Sequence, residues 1–224
     1  MGNSPSLIVM LTRNDLTVKS AVEVFEESKD TAAEFWGFKE DGIPFAEMKR
    51  LVRLMKDAKK KTFLEVVAYT EEECLQGAKM GLECGFDYLM GTMFFPSILK
   101  LVQNEPVKYM PFVGRIYGRP SILEGTTAEM VAEAEKILTM GADGFDLLAY
   151  RHPENPGQLA TDFVKAVKAP VVIAGSIDSF ERLDEVKSIN PWAFTIGSAF
   201  FDKRFGPEPG FRDQIETVLD YMKK

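Results

Sequence analysis

Apolar, β-branched and aromatic runs alternate regularly with helix-like segments along the chain, eight times in all. Runs without polar alternation are typical of strands that are covered on both faces, as in a parallel sheet. Eight strand–helix repeats favour a closed barrel over an open doubly wound sheet, which has fewer repeats. The pattern therefore predicts an α/β fold, a single (βα)8 TIM barrel that spans residues 1–224 as one domain.

The apolar runs set the predicted strands and the amphipathic segments between them set the predicted helices. The strands are predicted over residues 7–11, 33–38, 62–69, 87–92, 109–116, 144–150, 170–177 and 192–201. The helices are predicted over residues 17–27, 45–60, 70–84, 97–104, 127–141, 159–168, 179–188 and 211–224. Thr70, followed by three glutamates, is typical of a helix N-cap with an acidic first turn, and Gly85 is typical of the residue that ends a helix.

The last two predicted strands both end in a Gly-Ser pair, Gly175-Ser176 and Gly197-Ser198. Glycine lets a ligand approach the backbone closely, and serine adds a hydroxyl donor. The loops after strands 7 and 8 of an eight-stranded barrel frequently form a phosphate site from backbone N–H groups. We therefore expect these four residues to bind the phosphate of a substrate.

Composition narrows the classes of partner and cofactor. The chain has 46% hydrophobic residues and a net charge of −7, which argue for a large core and against general nucleic-acid binding. No apolar run approaches a membrane span, and two cysteines suit a reduced cytoplasmic protein without a disulfide. His152 is the one histidine, which rules out a multi-histidine metal site, and no nucleotide-binding glycine motif follows the first strand. We expect no metal and no cofactor.

Three charged residues fall within or at the end of predicted strands, where barrel enzymes place their catalytic groups. Glu65 lies in the third strand, Asp146 in the sixth, and Arg115 ends the fifth. Burial raises a carboxyl pKa toward neutrality, so Glu65 and Asp146 are candidate acid/base groups, with Arg115 as the stabiliser of a developing anion. A structural ion network that joins the three side chains inside the barrel is the alternative.

Four further residues at predicted strand ends are candidate substrate contacts: Lys39, Thr92, His152 and Arg13. Lys39 is followed by two acidic residues, so an ordinary solvated loop is the alternative for it. His152 follows the sixth strand, where it suits a substrate contact or a general base, although a lone loop histidine is more often incidental. A Schiff-base aldolase is disfavoured because the sixth strand carries no lysine.

The two Gly-Ser strand ends, Val172–Ile177 and Thr195–Ala199, resemble those of the ribulose-phosphate-binding barrels. That group includes histidine-biosynthesis isomerases, ribulose-phosphate epimerase and N-acetylmannosamine-6-phosphate epimerase. The resemblance implies that Gly175, Ser176, Gly197 and Ser198 hold a substrate phosphate. The positions of Glu65 and Asp146, with Ile173-Ala174-Gly175, also resemble the glycerol-3-phosphate-responsive antiterminator barrel.

These observations predict a barrel that binds a small phosphorylated metabolite and works as an isomerase, epimerase or lyase by proton transfer. A non-catalytic barrel that senses a phosphometabolite is one alternative. An enzyme that acts on an unphosphorylated acid, with the Gly-Ser turns serving only strand closure, is another. We expect neither a nucleic acid nor a membrane as partner, and barrels of this size often form homodimers.

Overall fold

The structure is a computed structural model that describes residues 4–207 and 210–224. The strands of these two ranges are β1 (Ser6–Met10), β2 (Thr12–Arg13), β3 (Leu16–Thr17), β4 (Phe35–Lys39), β5 (Lys61–Val66), β6 (Tyr88–Gly91), β7 (Lys108–Met110), β8 (Arg115–Tyr117), β9 (Ile122–Glu124), β10 (Phe145–Leu147), β11 (Val171–Ile173) and β12 (Ala193–Ile196). The α-helices are α1 (Ala21–Ser28), α2 (Phe45–Asp57), α3 (Glu71–Cys84), α4 (Pro96–Val102), α5 (Thr127–Met140), α6 (Pro156–Ala166), α7 (Phe180–Ile189), α8 (Ser198–Phe201) and α9 (Phe211–Lys223).

Eight of the strands form one parallel sheet in the order β10-β11-β12-β1-β4-β5-β6-β7. The two ends of this sheet meet through a parallel bridge between Phe112 and Asp146, and the Asp146 N–H donates to the carbonyl oxygen of Pro111 at 3.1 Å. The sheet therefore closes on itself, and the single (βα)8 barrel predicted from the sequence is confirmed.

The helices pack outside the barrel, and α3 begins and ends at the capping residues that the sequence predicts. The Thr70 hydroxyl accepts a hydrogen bond from the Glu73 N–H at 3.4 Å, and α3 ends at Gly85 in the left-handed conformation. Thr126 and Glu129 form a capping box at the start of α5. None of the helices in the two described ranges is long and apolar enough to span a membrane.

The barrel interior is apolar at one end and polar at the other. Aromatic rings fill the end where the strands begin, with Phe63 stacked on Tyr88 at 4.3 Å between centroids and Phe35 and Trp192 beside them. Buried aliphatic and methionine side chains of β1, β6, β7 and β11 occupy the middle. The aromatic layer blocks access from that end, so a ligand reaches the interior only from the carboxyl ends of the strands.

Two short hairpins that the sequence did not predict stand at the carboxyl end of the barrel. The first pairs β2 with β3 directly after β1, and the second pairs β8 with β9 after β7. The fifth barrel strand was predicted over residues 109–116, but it ends at Met110 because Pro111 has no N–H and Gly114 turns the chain at φ +81°. The prediction that Arg115 ends the fifth strand is therefore wrong, because Arg115 begins β8.

Candidate functional site

A cleft of about 530 Å³ opens at the carboxyl end of the barrel. Its walls come from the ends of β1, β4, β5, β11 and β12, together with the hairpin residue Ser121 and the loop residue Arg151. Both predicted Gly-Ser turns line it, and so do Lys39 and Glu65. Six of the eleven residues predicted from the sequence therefore share one cleft.

The Gly175-Ser176 turn carries N–H groups that the sheet does not use. The last ladder bond of β11 runs from the Ala174 N–H to the Leu147 carbonyl oxygen at 3.0 Å, and the chain then turns at Gly175 (φ +81°) and Ser176 (φ +54°). Within residues 4–207 and 210–224, no protein acceptor faces the N–H groups of Gly175, Ser176 or Gly197. Free N–H groups at a turn form concavities that bind anions.

Ser198 differs from Ser176 in what its hydroxyl does. The Ser198 Oγ accepts a hydrogen bond from the Asn14 N–H at 3.2 Å, which ties the start of α8 to the β2–β3 hairpin. Its O–H proton is still available as a donor, because a hydroxyl both accepts and donates. The Ser176 side chain is exposed at the cleft.

Arg151 is the cation nearest to the Gly175 turn. A Cβ placed on Gly175 would lie 3.0 Å from the Arg151 Nε, so the guanidinium packs across that backbone. In the described part of the chain, no carboxylate lies within ion-pair distance of Arg151. By contrast, Arg204 on the same cleft already pairs with Asp178 at 3.9 Å.

The floor of the cleft is a buried charge cluster centred on Lys39. The Lys39 Nζ donates to the Asp15 Oδ1 at 2.8 Å and lies 3.8 Å from the Glu65 Oε1. The register of β4 and β5 places Lys39 directly opposite Glu65, and their exposed fractions are 8% and 6%. Thr17 fixes the lysine backbone, because its hydroxyl donates to the Lys39 carbonyl oxygen at 2.8 Å and accepts from the Lys39 N–H at 2.9 Å.

Lys39 and Asp15 hold each other in the ionised form. Burial by itself would lower the pKa of Lys39, but the attraction of Glu65 and then of Asp15 outweighs it and the pKa is raised. Burial would raise the pKa of Asp15, but Lys39 beside it, with smaller effects of Arg151 and Arg119, lowers the pKa overall. Lys39 is therefore an ammonium ion at neutral pH.

Asp146 lies deeper, on β10, with no solvent exposure. Neither of its carboxyl oxygens has a hydrogen-bond partner among the described residues. Burial, reinforced by repulsion from Glu65 and partly offset by Lys39, raises the pKa of Asp146 well above its usual value. Asp146 is therefore a buried carboxyl group that holds its proton more tightly than an ordinary aspartate, next to the Lys39–Glu65 pair.

The predicted catalytic residue Arg115 lies away from this cluster. Its side chain is 76% exposed and pairs with Glu124 across the β8–β9 hairpin. The alternative of a Glu65–Arg115–Asp146 ion network is not formed, and Lys39, not Arg115, is the cation beside Glu65. The reason is the break at Pro111 and Gly114, which takes the chain out of the barrel before Arg115.

Three other predicted contacts lie outside the cleft walls. Thr92 is buried and its hydroxyl bonds to the Tyr109 hydroxyl at 2.8 Å. The His152 Nε2 lies 3.1 Å from the Gly125 carbonyl oxygen. Arg13 is exposed and pairs at 2.7 Å with Asp202, whose own side chain lines the cleft, so Arg13 lies just behind the rim.

Several residues of the site were not predicted. Asp15 lies in the turn of the β2–β3 hairpin, where hydrophobic periodicity gives no signal. Arg151 is different, because its position after the sixth predicted strand already indicated a residue that could face the phosphate pocket. Glu40 follows β4 and its Oε1 accepts the Val67 N–H at 2.8 Å, and burial raises its pKa to about 7. Among the described residues, no three histidine, cysteine, aspartate or glutamate side chains are arranged to hold a metal ion.

No protein-family model matches the chain, and no curated protein matches it. Solved structures do match over nearly its whole length. A thiamine phosphate pyrophosphorylase from Pyrococcus furiosus is 18% identical with a TM-score of 0.66, over 97% of this chain and 95% of that one. N-(5'-phosphoribosyl)anthranilate isomerase from the same organism is 13% identical with a TM-score of 0.65, over 98% of both chains.

A third similar structure is the N-acetylmannosamine-6-phosphate 2-epimerase from Clostridium perfringens, at 15% identity and a TM-score of 0.63, over 96% of this chain and 92% of that one. A glycerol uptake operon antiterminator-related protein from Thermotoga maritima is 17% identical with a TM-score of 0.56, over 90% and 99%. The chain thus shares the barrel fold of these solved structures.

Proposed function

We propose that this barrel binds a small phosphorylated metabolite and catalyses proton transfer at a carbon next to a carbonyl group. The observation that carries the proposal is that one cleft contains both parts of such a site. The unbonded N–H groups of Gly175, Ser176 and Gly197 lie at one side. The buried Lys39–Glu65 pair lies on the floor.

The phosphate end of the substrate is assigned to the two turns. Three free N–H groups, the Ser176 hydroxyl and the unpaired Arg151 guanidinium supply the donors that a phosphate dianion needs. The chain as a whole is acidic, so this donor set marks a local site and not a generally basic surface. The named substrates of two similar enzymes, phosphoribosylanthranilate and N-acetylmannosamine 6-phosphate, are phosphorylated sugars, which agrees with this assignment.

The reacting end is assigned to Glu65 and Lys39. The Glu65 carboxylate takes a proton from the carbon beside the carbonyl group, and the Lys39 ammonium donates a hydrogen bond to the carbonyl oxygen as that oxygen becomes negative. Protonated Glu65 then delivers its proton to the former carbonyl carbon, while the neighbouring hydroxyl group passes its proton to the former carbonyl oxygen, and the product is an isomer.

Exchange of substrate hydrogen with solvent deuterium tests this proposal without knowledge of the product. A panel of aldose and ketose phosphates is incubated with the protein in D₂O, and loss of the proton beside the carbonyl group is followed by NMR. We expect exchange with at least one compound. Glu65→Gln should abolish it while inorganic phosphate still binds, because the turns are untouched.

Glu135→Gln is the matched control, because Glu135 is an exposed residue of α5 and is not among the residues that line the cleft. It should exchange at the wild-type rate. Wild-type exchange that survives in Glu65→Gln would remove Glu65 from the mechanism. Failure of every phosphorylated compound, inorganic phosphate included, to bind would remove the proposed ligand class.

A sensor barrel is the second candidate, and the similarity to the antiterminator-related protein favours it. It predicts tight binding of a phosphometabolite with no deuterium exchange. The free thiols of Cys74 and Cys84 agree with a reducing compartment, so we place either function in the cytoplasm.

A further inference from the structure

The main cleft continues into a second hollow of about 510 Å³ between the two hairpins. Asp15, Arg151 and Ser198 line both spaces, so a single ligand can extend from one into the other. The second hollow adds Leu16 from the β2–β3 hairpin and Arg119 and Pro120 from the β8–β9 hairpin. A triose phosphate would fill only a small part of the combined space, whereas a longer ligand could reach from the main cleft into the second hollow.

Two guanidinium groups face this hollow. Arg119 is held in place by hydrogen bonds to the Val67 carbonyl oxygen at 3.1 Å and to the Asp41 Oδ2 at 3.4 Å. These two contacts leave other N–H donors of the guanidinium free, since arginine carries five. Arg151 lines the same hollow and has no carboxylate partner within the described ranges.

The one carboxylate among the lining residues does not cancel both arginines. Asp15 accepts the 2.8 Å hydrogen bond from Lys39, and Arg119 and Arg151 act on it more weakly. Arg119 pairs at 3.4 Å with Asp41, so it offers its remaining N–H donors, whereas Arg151 brings a positive charge without an ion-pair partner among the described residues, next to Leu16 and Pro120. Two convergent arginines beside an apolar wall recognise a carboxylate or a phosphate on a carbon chain.

The β8–β9 hairpin, which carries Arg119, is hydrogen-bonded to the barrel through Tyr69. The Tyr69 hydroxyl donates to the Gly118 carbonyl oxygen at 2.8 Å and lies 2.8 Å from the Ser121 Oγ. Tyr69 follows β5, so the loop tip is tied to the barrel and Arg119 has a defined position over the hollow. A fixed cation of this kind loses less conformational entropy on binding than a mobile surface arginine.

We propose that the hollow between the hairpins is a second anion subsite, and that the ligand therefore carries an acidic group in addition to the phosphate held at the Gly-Ser turns. This inference rests on the proposed phosphate site and extends it to a class of ligand. The second group is a carboxylate or a second phosphate, and it contacts Arg119 and Arg151.

Isothermal titration with three probes tests the subsite. The probes are ribose 5-phosphate with one anionic group, 6-phosphogluconate with a phosphate and a carboxylate, and ribulose 1,5-bisphosphate with two phosphates. We expect at least one of the two doubly anionic probes to bind about tenfold more tightly than ribose 5-phosphate, as a charge-assisted contact of this kind supports. Preference for 6-phosphogluconate would identify a carboxylate, and preference for the bisphosphate would identify a phosphate.

Arg119→Gln should remove this tenfold preference and leave the affinity for ribose 5-phosphate within twofold of wild type. Arg115→Gln is the matched control on the same hairpin, because its side chain pairs with Glu124 and lines neither space; it should keep the preference. Leu16→Glu places a negative charge in the hollow without touching Arg119, and it too should remove the preference.

Three different outcomes would contradict the proposal, and they can be told apart. Equal affinity of wild type for all three probes would overturn the second subsite and leave the phosphate site standing. Equal loss in Arg115→Gln and Arg119→Gln would reduce the effect to general surface charge and overturn the subsite as well. No binding of any probe would overturn the phosphate site and the subsite together.

Discussion

Replacement of Glu40 by glutamine removes a carboxyl group whose affinity for a proton changes when the chain folds. Glu40 is largely buried beside β5, where its Oε1 accepts the Val67 N–H at 2.8 Å. Burial raises its pKa from 4.5 to about 7, and nearby Asp41 adds to the effect while the backbone hydrogen bonds oppose it. Glutamine keeps the acceptor oxygen and never ionises, so the substitution isolates the titration.

The size of the effect follows from the two pKa values. In the unfolded chain Glu40 ionises near pH 4.5, whereas in the folded chain it keeps its proton to about pH 7. Between those values the folded state binds more protons than the unfolded state. The stabilising contribution of protonated Glu40 is therefore fully present below pH 4.5 and is lost as pH rises through 7. The difference between 4.5 and about 7 corresponds to roughly 3 kcal/mol, at about 1.4 kcal/mol for each pH unit.

Urea denaturation at a series of pH values measures this difference directly. The unfolding free energy of Glu40→Gln relative to wild type should rise by about 3 kcal/mol from pH 4 to pH 8, which corresponds to roughly 6–12 °C in Tm for a chain of this size. Glu135→Gln, on the exposed face of α5, should show no such trend. A relative stability that stays flat with pH, or that falls, would refute the reasoning.

Other substitutions test the buried cluster and the turn. Asp146→Asn mimics the neutral acid, so it should change the unfolding free energy at pH 7 by less than about 1 kcal/mol in urea titrations; a loss of about 3–5 kcal/mol would indicate a buried ion pair instead. Lys39→Met leaves Glu65 and Asp15 without their shared cation and should destabilise by about 3–5 kcal/mol, and the double variant with Glu65→Gln should recover part of that loss. Gly175→Val forces a branched residue to φ +81° with its Cβ 3.0 Å from the Arg151 Nε, so it should cost about 1–3 kcal/mol and weaken phosphate binding at least tenfold by calorimetry.

The barrel and the positions of its Gly-Ser turns could be predicted because both depend on local patterns. Eight apolar runs gave eight strands, and the Gly-Ser pairs fall just beyond β11 and β12. The predicted strands were longer than the observed ones, which end after three or four residues at these two positions. Turn residues that share the apolar run cannot be separated from the strand by hydrophobicity alone.

Which side chains form the buried charge cluster depends on the strand face that each side chain occupies. Lys39 shares a strand face with Phe35 and Gly37, because side chains on one face recur every second residue. That alternation was a usable signal for an inward lysine, and the acidic residues that follow Lys39 obscured it. Pro111 was likewise a signal that the fifth strand ends before Arg115.

The two hairpins could not be predicted from hydrophobic periodicity. β2 and β3 have two residues each, and β8 and β9 have three each, which is too short for an alternation to be recognised. They supply Asp15 and Arg119, whose partners are distant along the chain. Contacts between residues so far apart along the chain form only in the folded barrel, so no local sequence pattern predicts them.

The central claim is that the free N–H groups at the ends of β11 and β12 hold a phosphate. A crystal structure of the protein soaked with ribose 5-phosphate tests it most directly. The account predicts phosphate oxygens about 3 Å from the backbone nitrogens of Gly175, Ser176 and Gly197, with the sugar directed toward Lys39 and Glu65. A phosphate bound elsewhere on the protein, or an empty cleft at millimolar ligand, would contradict it.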